Sequence, residues 1–372
     1  MKKILTITFL NFFISGGLTL TIPLLLLERN VNLVEIGLVI STLPIVFLIA
    51  RLFMAAIADL QGWNRIYLLL NWPASLLSTL IYFIANSTPM FLIGKIAEAS
   101  KESAYWAVNR TAIFSLAPNR EEKEATKNTA IIFLATAIGS AIAGLGIYTF
   151  GFSITLGIFI AASAAIGIPA AALWKTGQNF KPNNAQTRKL FELRNYGRKF
   201  WLVSITLLFF SLAYYPLLNL LLPVFMAQQL SYNYLTIGLA YMLFNIIAGI
   251  TIFGTLKFPL GTKRALLQSS IALVASVLLA YSNLYFPAFL ALAAAEGLGM
   301  GFFEAIIAKA TKNKSSVSIN IGLLHVPMRF AEFISILYTG IAAQTVGYVP
   351  LFVLSGFFFL IFSALAAHLI KN

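Results

Sequence analysis

Apolar runs of about 20 residues recur from one end of this chain to the other, each long enough to cross the hydrocarbon core of a bilayer. In lipid, every backbone N–H and C=O must be satisfied within the protein, so only helices and closed barrels span. Alternating ten-residue barrel segments are absent. An all-α polytopic membrane protein is therefore expected. Composition agrees: 59 % of the 372 residues are hydrophobic and 10 % charged, against about 25 % charged in soluble domains.

Twelve spans are read, at about 4–27, 34–57, 66–85, 90–115, 128–150, 152–174, 200–225, 234–256, 265–283, 286–309, 319–342 and 349–369. Lys2 and Lys3 precede an apolar run that continues to Leu27 with no small-residue cleavage site, which reads as a first span and not a signal peptide.

The connecting loops orient the chain. One side holds Lys2, Lys3, Arg65, Arg120, Lys123, Lys127, the basic residues of 175–199, Lys257, Lys263, Arg264, Lys309, Lys312, Lys314 and Lys371; the other holds only Arg29. Basic loops stay inside, so both termini are expected in the cytoplasm. This pattern accounts for the net charge of +14. Nucleic acid is excluded as a partner, because no basic face is interleaved with aromatics on a soluble domain.

The chain has no Cys and only two His, His325 and His368. Disulfides, thiolate chemistry and multi-histidine metal sites are thereby excluded. No phosphate-cradling loop or nucleophile triad is present, so neither an enzyme nor a cofactor is expected.

The longest polar stretch, 176–199, lies midway and reads as a cytoplasmic linker between a first six-helix bundle, 1–175, and a second, 200–372. The two halves repeat. Leu18-Thr-Leu-Thr-Ile-Pro23 returns as Leu218-Asn-Leu-Leu-Leu-Pro223, and Asn32-Leu-Val-Glu-Ile-Gly-Leu38 as Asn233-Tyr-Leu-Thr-Ile-Gly-Leu239. Gly62-Trp-Asn-Arg65 returns as Gly261-Thr-Lys-Arg264, and Glu98 as Glu296, at offsets of 198 to 201 residues. A six-span offset preserves orientation, so the repeats are parallel.

An ionisable residue at mid-bilayer costs roughly 2.5–3.5 kcal/mol on insertion scales and belongs in a wet cavity or a paired site. Spans 3, 6, 9 and 12 lack such residues and can face lipid; spans 2, 4, 10 and 11 carry them. In span 4, Lys95, Glu98, Glu102, Tyr105, Trp106 and Asn109 share an arc of about 100°, flanked by Lys101 and Arg110. Ion pairing of Glu98 with Lys95 or Lys101 is the structural alternative. Glu98 and Glu102 stand one turn apart, a spacing suited to holding a proton. Span 10 offers Glu296 and Glu304, with Gly297, Gly299 and Gly301 read as packing positions. In span 11, His325, Arg329 and Glu332 share one face, and Arg329 is a partner for Glu296 or Glu332. Asp59, the only aspartate, precedes a Gly62 turn and Arg65, with Arg51 two turns earlier. These four form a candidate cytoplasmic gate.

Six plus six spans, a basic central loop, parallel repeats and Asp59-x-x-Gly62-x-x-Arg65 between spans 2 and 3 together resemble the major facilitator superfamily. The loop departs from that family's pattern at Ala55, Leu60, Trp63 and Asn64. Lys95 looks like the position of the family's span-4 arginine, linked in proton antiporters to proton transfer, and Glu98 stands where a glutamine is usual. Gly144 is followed by Leu145, where the antiporter pattern has proline. The resemblance implies alternating access, with spans 1, 4, 7 and 10 lining a cavity between two rocking bundles, and so adds Asn11, Ser15 and Thr19 of span 1 and Tyr214, Tyr215 and Asn219 of span 7 as candidates.

The expected function is secondary transport of a small organic solute by a monomer, coupled to protons, with efflux of an amphipathic compound placed ahead of uptake. The candidate substrate- and proton-binding residues are Lys95, Glu98, Lys101, Glu102, Tyr105, Asn109, Glu296, Glu304, His325, Arg329 and Glu332. A non-transporting membrane receptor or scaffold is the alternative.

Overall fold

The computed structural model describes residues 1–117, 121–174, 197–257, 260–281, 284–311 and 317–371. Residues 176–196 of the expected linker, and the basic positions Arg120, Lys312 and Lys314, lie outside these described residues. Helices and short connections account for the described residues, with no strand among them. We number the helices α1 (Lys2–Glu28), α2 (Leu33–Gln61), α3 (Trp63–Ile84), α4 (Thr88–Leu116), α5 (121–150), α6 (152–174), α7 (Arg198–Gln228), α8 (Tyr234–Lys257), α9 (Thr262–Tyr281), α10 (Tyr285–Thr311), α11 (Val317–Thr345) and α12 (Val349–Lys371). A single wide turn interrupts α3 at Tyr67–Asn71 and α7 at Leu217–Leu221.

Among the described residues, ten segments are long and apolar enough to cross a membrane, where the sequence leads to twelve spans. The difference has two physical causes. The segment Lys127–Trp174 counts once, although its 48 residues would run about 72 Å if straight, against a core of about 30 Å. It is not straight. Gly151, at φ 80° and ψ 175°, breaks the helix, a conformation open to a residue without Cβ. Beyond it the chain doubles back, so that a Cβ on Gly146 would lie 2.7 Å from Thr155 Oγ1. The second cause is α4, which carries Lys95, Glu98, Lys101 and Glu102 and is too polar to count as apolar.

The repeated Asn-x-x-x-Ile-Gly-Leu segment does the same two jobs wherever it occurs. Asn32 Oδ1 accepts the backbone N–H of Glu35 at 2.9 Å, and Asn233 Oδ1 accepts that of Thr236 at 2.8 Å. Each asparagine caps the helix it precedes and satisfies a donor that the first turn leaves free. One turn on, each glycine admits a neighbouring backbone. A Cβ on Gly37 would stand 3.1 Å from Gly340 Cα, joining α2 to α11. One on Gly238 would stand 2.6 Å from Gly144 Cα, joining α8 to α5. Lipid provides no hydrophobic drive between helices, so close packing at small residues takes that role. Gly297 and Gly301 also pack closely, against Ala248, Thr251 and Thr255 of α8.

Helices without internal charge present apolar side chains outward, including Leu77 and Phe83 of α3, Ile154 and Ile168 of α6, Val274 of α9 and Phe357 of α12. The charged helices α2, α4 and α11, together with α1 and α7, enclose the site.

Candidate functional site

A cavity of about 200 Å³ lies between α1, α2, α4, α7 and α11. Phe12, Thr19, Ile40, Leu43, Pro44, Lys95, Glu98, Glu102, Trp106, Tyr215, Asn219, Arg329 and Glu332 line it. Glu102 falls at the midpoint of α4, and Arg329 within two residues of that of α11. The site therefore sits halfway along its helices.

On α4, Lys95 Nζ reaches Glu98 Oε2 at 2.8 Å, the first of the two pairings the sequence allowed. Tyr82 of α3 donates its hydroxyl proton to the same oxygen at 2.6 Å. Lys95 and Glu98 are almost wholly buried, so the charges compensate each other and the phenol adds a strong hydrogen bond. One turn deeper, Lys101 Nζ donates to Ser15 Oγ at 2.6 Å, and that hydroxyl donates to Glu102 Oε1 at 3.0 Å. Lys101 stands 3.9 Å from Glu102, charge-paired but beyond direct hydrogen bonding.

Across the cavity, Arg329 donates from Nη1 to Glu332 Oε2 at 2.7 Å. Its guanidinium lies over the Phe47 ring at 4.3 Å and the Tyr215 ring at 5.4 Å, cation–π contacts on two sides. The sequence offered Arg329 either Glu296 or Glu332 as partner, and the structure selects Glu332. Both lie on α11 three residues apart, whereas Glu296 turns elsewhere.

Glu296 on α10 is buried and outside the cavity lining. Tyr214 of α7 is among its electrostatic neighbours. Its Oε2 has no partner among the described residues. α10 contributes nothing to the cavity wall, contrary to expectation, and α2 and α11 take that place. The glycines that follow Glu296 draw α10 onto α8, away from the cavity.

The remaining candidates are dispersed. The Tyr105 hydroxyl hydrogen-bonds with that of Thr8 at 2.9 Å, and Asn109 Oδ1 accepts from the Tyr67 hydroxyl at 3.3 Å. Both tie α4 to neighbouring helices. Asn11 and Asn71 exchange amide hydrogen bonds at 3.1 and 3.0 Å. Glu304 pairs with Arg110 at 2.7 Å. His325 Nδ1 faces Arg51 Nη1 at 3.1 Å, and its ring stacks on Phe303. Of the expected gate, Arg51 thus meets α11. Gly62 turns at φ 90°, and Arg65 lies over the Trp174 ring at 5.5 Å. The Asp59 side chain lies outside the described residues. Sequence reasoning missed Phe47, Tyr82, Ile40, Leu43 and Pro44, which carry no charge to mark them.

Long apolar helices around a buried, ionically lined cavity define an integral membrane transporter for small solutes. The sequence matches the Major Facilitator Superfamily model over residues 4–303, and the chain belongs to that family. None of the curated protein sequences compared with it matches. Its fold is similar to that of a bacterial homolog of the human lysosomal transporter Spinster, solved inward-facing and unoccupied, with TM-score 0.75 and 13 % identity over 99 % of this chain and 96 % of that one. It is also similar to the nucleoside transporter NupG, with TM-score 0.70 and 12 % identity over 100 % of this chain and 98 % of that one.

Proposed function

We propose that this chain is a proton-coupled secondary transporter that exports a small amphipathic solute by alternating access. Residues 1–175 and 200–372 act as two bundles that rock about the cavity, with 176–199 and both termini in the cytoplasm and Arg51, Asp59, Gly62 and Arg65 at the inner gate. The protein works as a monomer.

The observation that carries proton coupling is the contrast between Glu98 and Glu296. The two correspond in the repeat, but Glu98 has Lys95 and Tyr82 on its carboxylate, whereas Glu296 is buried with one oxygen unpartnered and Ala293 where the lysine would be. An ionised carboxylate there is an uncompensated charge in a low-dielectric interior. Binding a proton removes that charge, and access to water during the cycle releases it. Tyr214 links the site to Tyr215 in the cavity wall through ring contact at 5.2 Å.

Proteoliposomes loaded with a pH-reporting dye test this reading, using a panel of amino acids, amines, organic acids, sugars and nucleosides. A member of the panel is expected to drive proton movement through the parent protein. Glu296→Gln is expected to abolish that movement while melting like the parent and still exchanging labelled solute. Solute-driven proton flux at the parental rate in Glu296→Gln would overturn the assignment.

A further inference from the structure

We infer that the solute is a zwitterion, carrying one ammonium and one carboxylate on an apolar body. The inference rests on the proposed reading of the cavity as the substrate site.

Among the ionic groups that line the cavity or pair with that lining, cations and anions are equal in number, with Arg51 a further cation at the Phe47 ring. Lys95, Lys101 and Arg329 face Glu98, Glu102 and Glu332. A solute of net charge would leave an excess charge in a poorly solvated interior, which is expensive. A solute of zero net charge avoids that cost.

The groups differ in how far they open to the cavity. The side chains of Lys95, Glu98, Lys101 and Glu332 are 1–4 % exposed, each closed by its own partners. Glu102 is 19 % exposed and Arg329 13 %. The two that remain open are thus one anion and one cation. Among the described residues Glu102 accepts from Ser15 alone, because Lys101 directs its Nζ to Ser15 and stays 3.9 Å away. Arg329 commits Nη1 to Glu332 and leaves Nε without a partner among the described residues. The part of the Arg329 side chain that stays open lies in the cavity lining, where a carboxylate can accept from its guanidinium.

The lining also includes an apolar and aromatic surface: Phe12, Ile40, Leu43 and Trp106. It receives the body of the solute, while the ammonium faces Glu102 and the carboxylate faces Arg329. The cavity, about 200 Å³, is smaller than the roughly 300–1,000 Å³ of drug-sized sites, so the solute is of amino-acid size. Because Glu102 stands on α4 and Arg329 on α11, a zwitterion bridges helices from the two halves of the chain. A singly charged analogue holds one side only.

Three matched probes test this on purified protein in lipid nanodiscs: L-phenylalanine, phenethylamine, which lacks the carboxylate, and 3-phenylpropanoate, which lacks the ammonium. L-Phenylalanine is expected to bind at least tenfold more tightly than either analogue. Glu102→Gln is expected to weaken L-phenylalanine at least tenfold and to narrow its advantage over 3-phenylpropanoate, with Glu102→Asp recovering part of the loss. Failure of L-phenylalanine to bind, or binding of either analogue as tightly as L-phenylalanine, overturns the inference on the parent protein alone. So does parental affinity in a normally melting Glu102→Gln. No pH gradient is applied, so these outcomes are independent of whether Glu296 carries protons.

Discussion

Arg110 of α4 pairs with Glu304 of α10 at 2.7 Å, while the two side chains remain 40 % and 45 % exposed. Exposed pairs contribute about 0–1 kcal/mol, because water screens them and ordering two long side chains costs entropy. A double-mutant cycle with Arg110→Gln and Glu304→Gln, read from unfolding in detergent, is therefore expected to return a coupling below about 1 kcal/mol. A coupling of several kcal/mol would show that the pair is far drier than its exposure indicates.

Lys95 and Glu98 are the opposite case. Both are buried, and breaking such a pair leaves one charge uncompensated. Lys95→Met is expected to destabilise by about 3–5 kcal/mol, and adding Glu98→Gln to recover most of that loss. Tyr82→Phe removes the remaining donor to Glu98 and should cost about 1.5–3 kcal/mol. Melting the three variants beside the parent decides the matter, and a double variant no better than the single one would contradict the pairing.

Glycine substitutions should sort by what a Cβ would meet. On Gly238 it would meet the Gly144 backbone at 2.6 Å and Ser140 O at 2.8 Å, so α5 and α8 must part. Gly238→Ala is expected to lose about 1–3 kcal/mol. On Gly157 in α6 nothing lies within 4 Å, and alanine favours a helix over glycine by about 1 kcal/mol. Gly157→Ala should melt at or above the parental temperature. Equal losses at the two sites would refute the close α5–α8 contact.

Orientation is testable because the chain contains no cysteine. The proposed topology puts position 184 inside. Asn184→Cys in intact cells should resist a membrane-impermeant thiol reagent and react once the cells are opened. Labelling from outside would reverse the topology.

Helix positions were legible in the sequence because hydropathy, glycine and proline act locally. The division between α5 and α6 falls at Gly151, the residue between the two spans as read. Of the polar arc on α4, Lys95, Glu98, Glu102 and Trp106 reach the cavity lining. Periodicity reports which residues share a face, but not which neighbour that face meets. Tyr105 and Asn109 share the arc yet close onto α1 and α3. Glu296, expected to face the cavity, is carried aside by glycine packing of α10 on α8. Arg51 and His325 meet although they stand 274 positions apart in the chain, and no local pattern announces such a contact.

The two glycine crossings have a consequence for how such a chain arises. One joins the second helix to the eleventh, the other the fifth to the eighth. In the proposed two-bundle chain, each sets the second helix of one bundle against the fifth of the other. That reciprocity is the mark of an isologous interface, in which one patch contacts its own counterpart twice. A single six-helix protein carrying these glycines would have met a second copy of itself through both contacts at once. Duplication and fusion could then keep an interface already complete, leaving later substitutions, such as Ala293 at the position equivalent to Lys95, to make the two halves unequal.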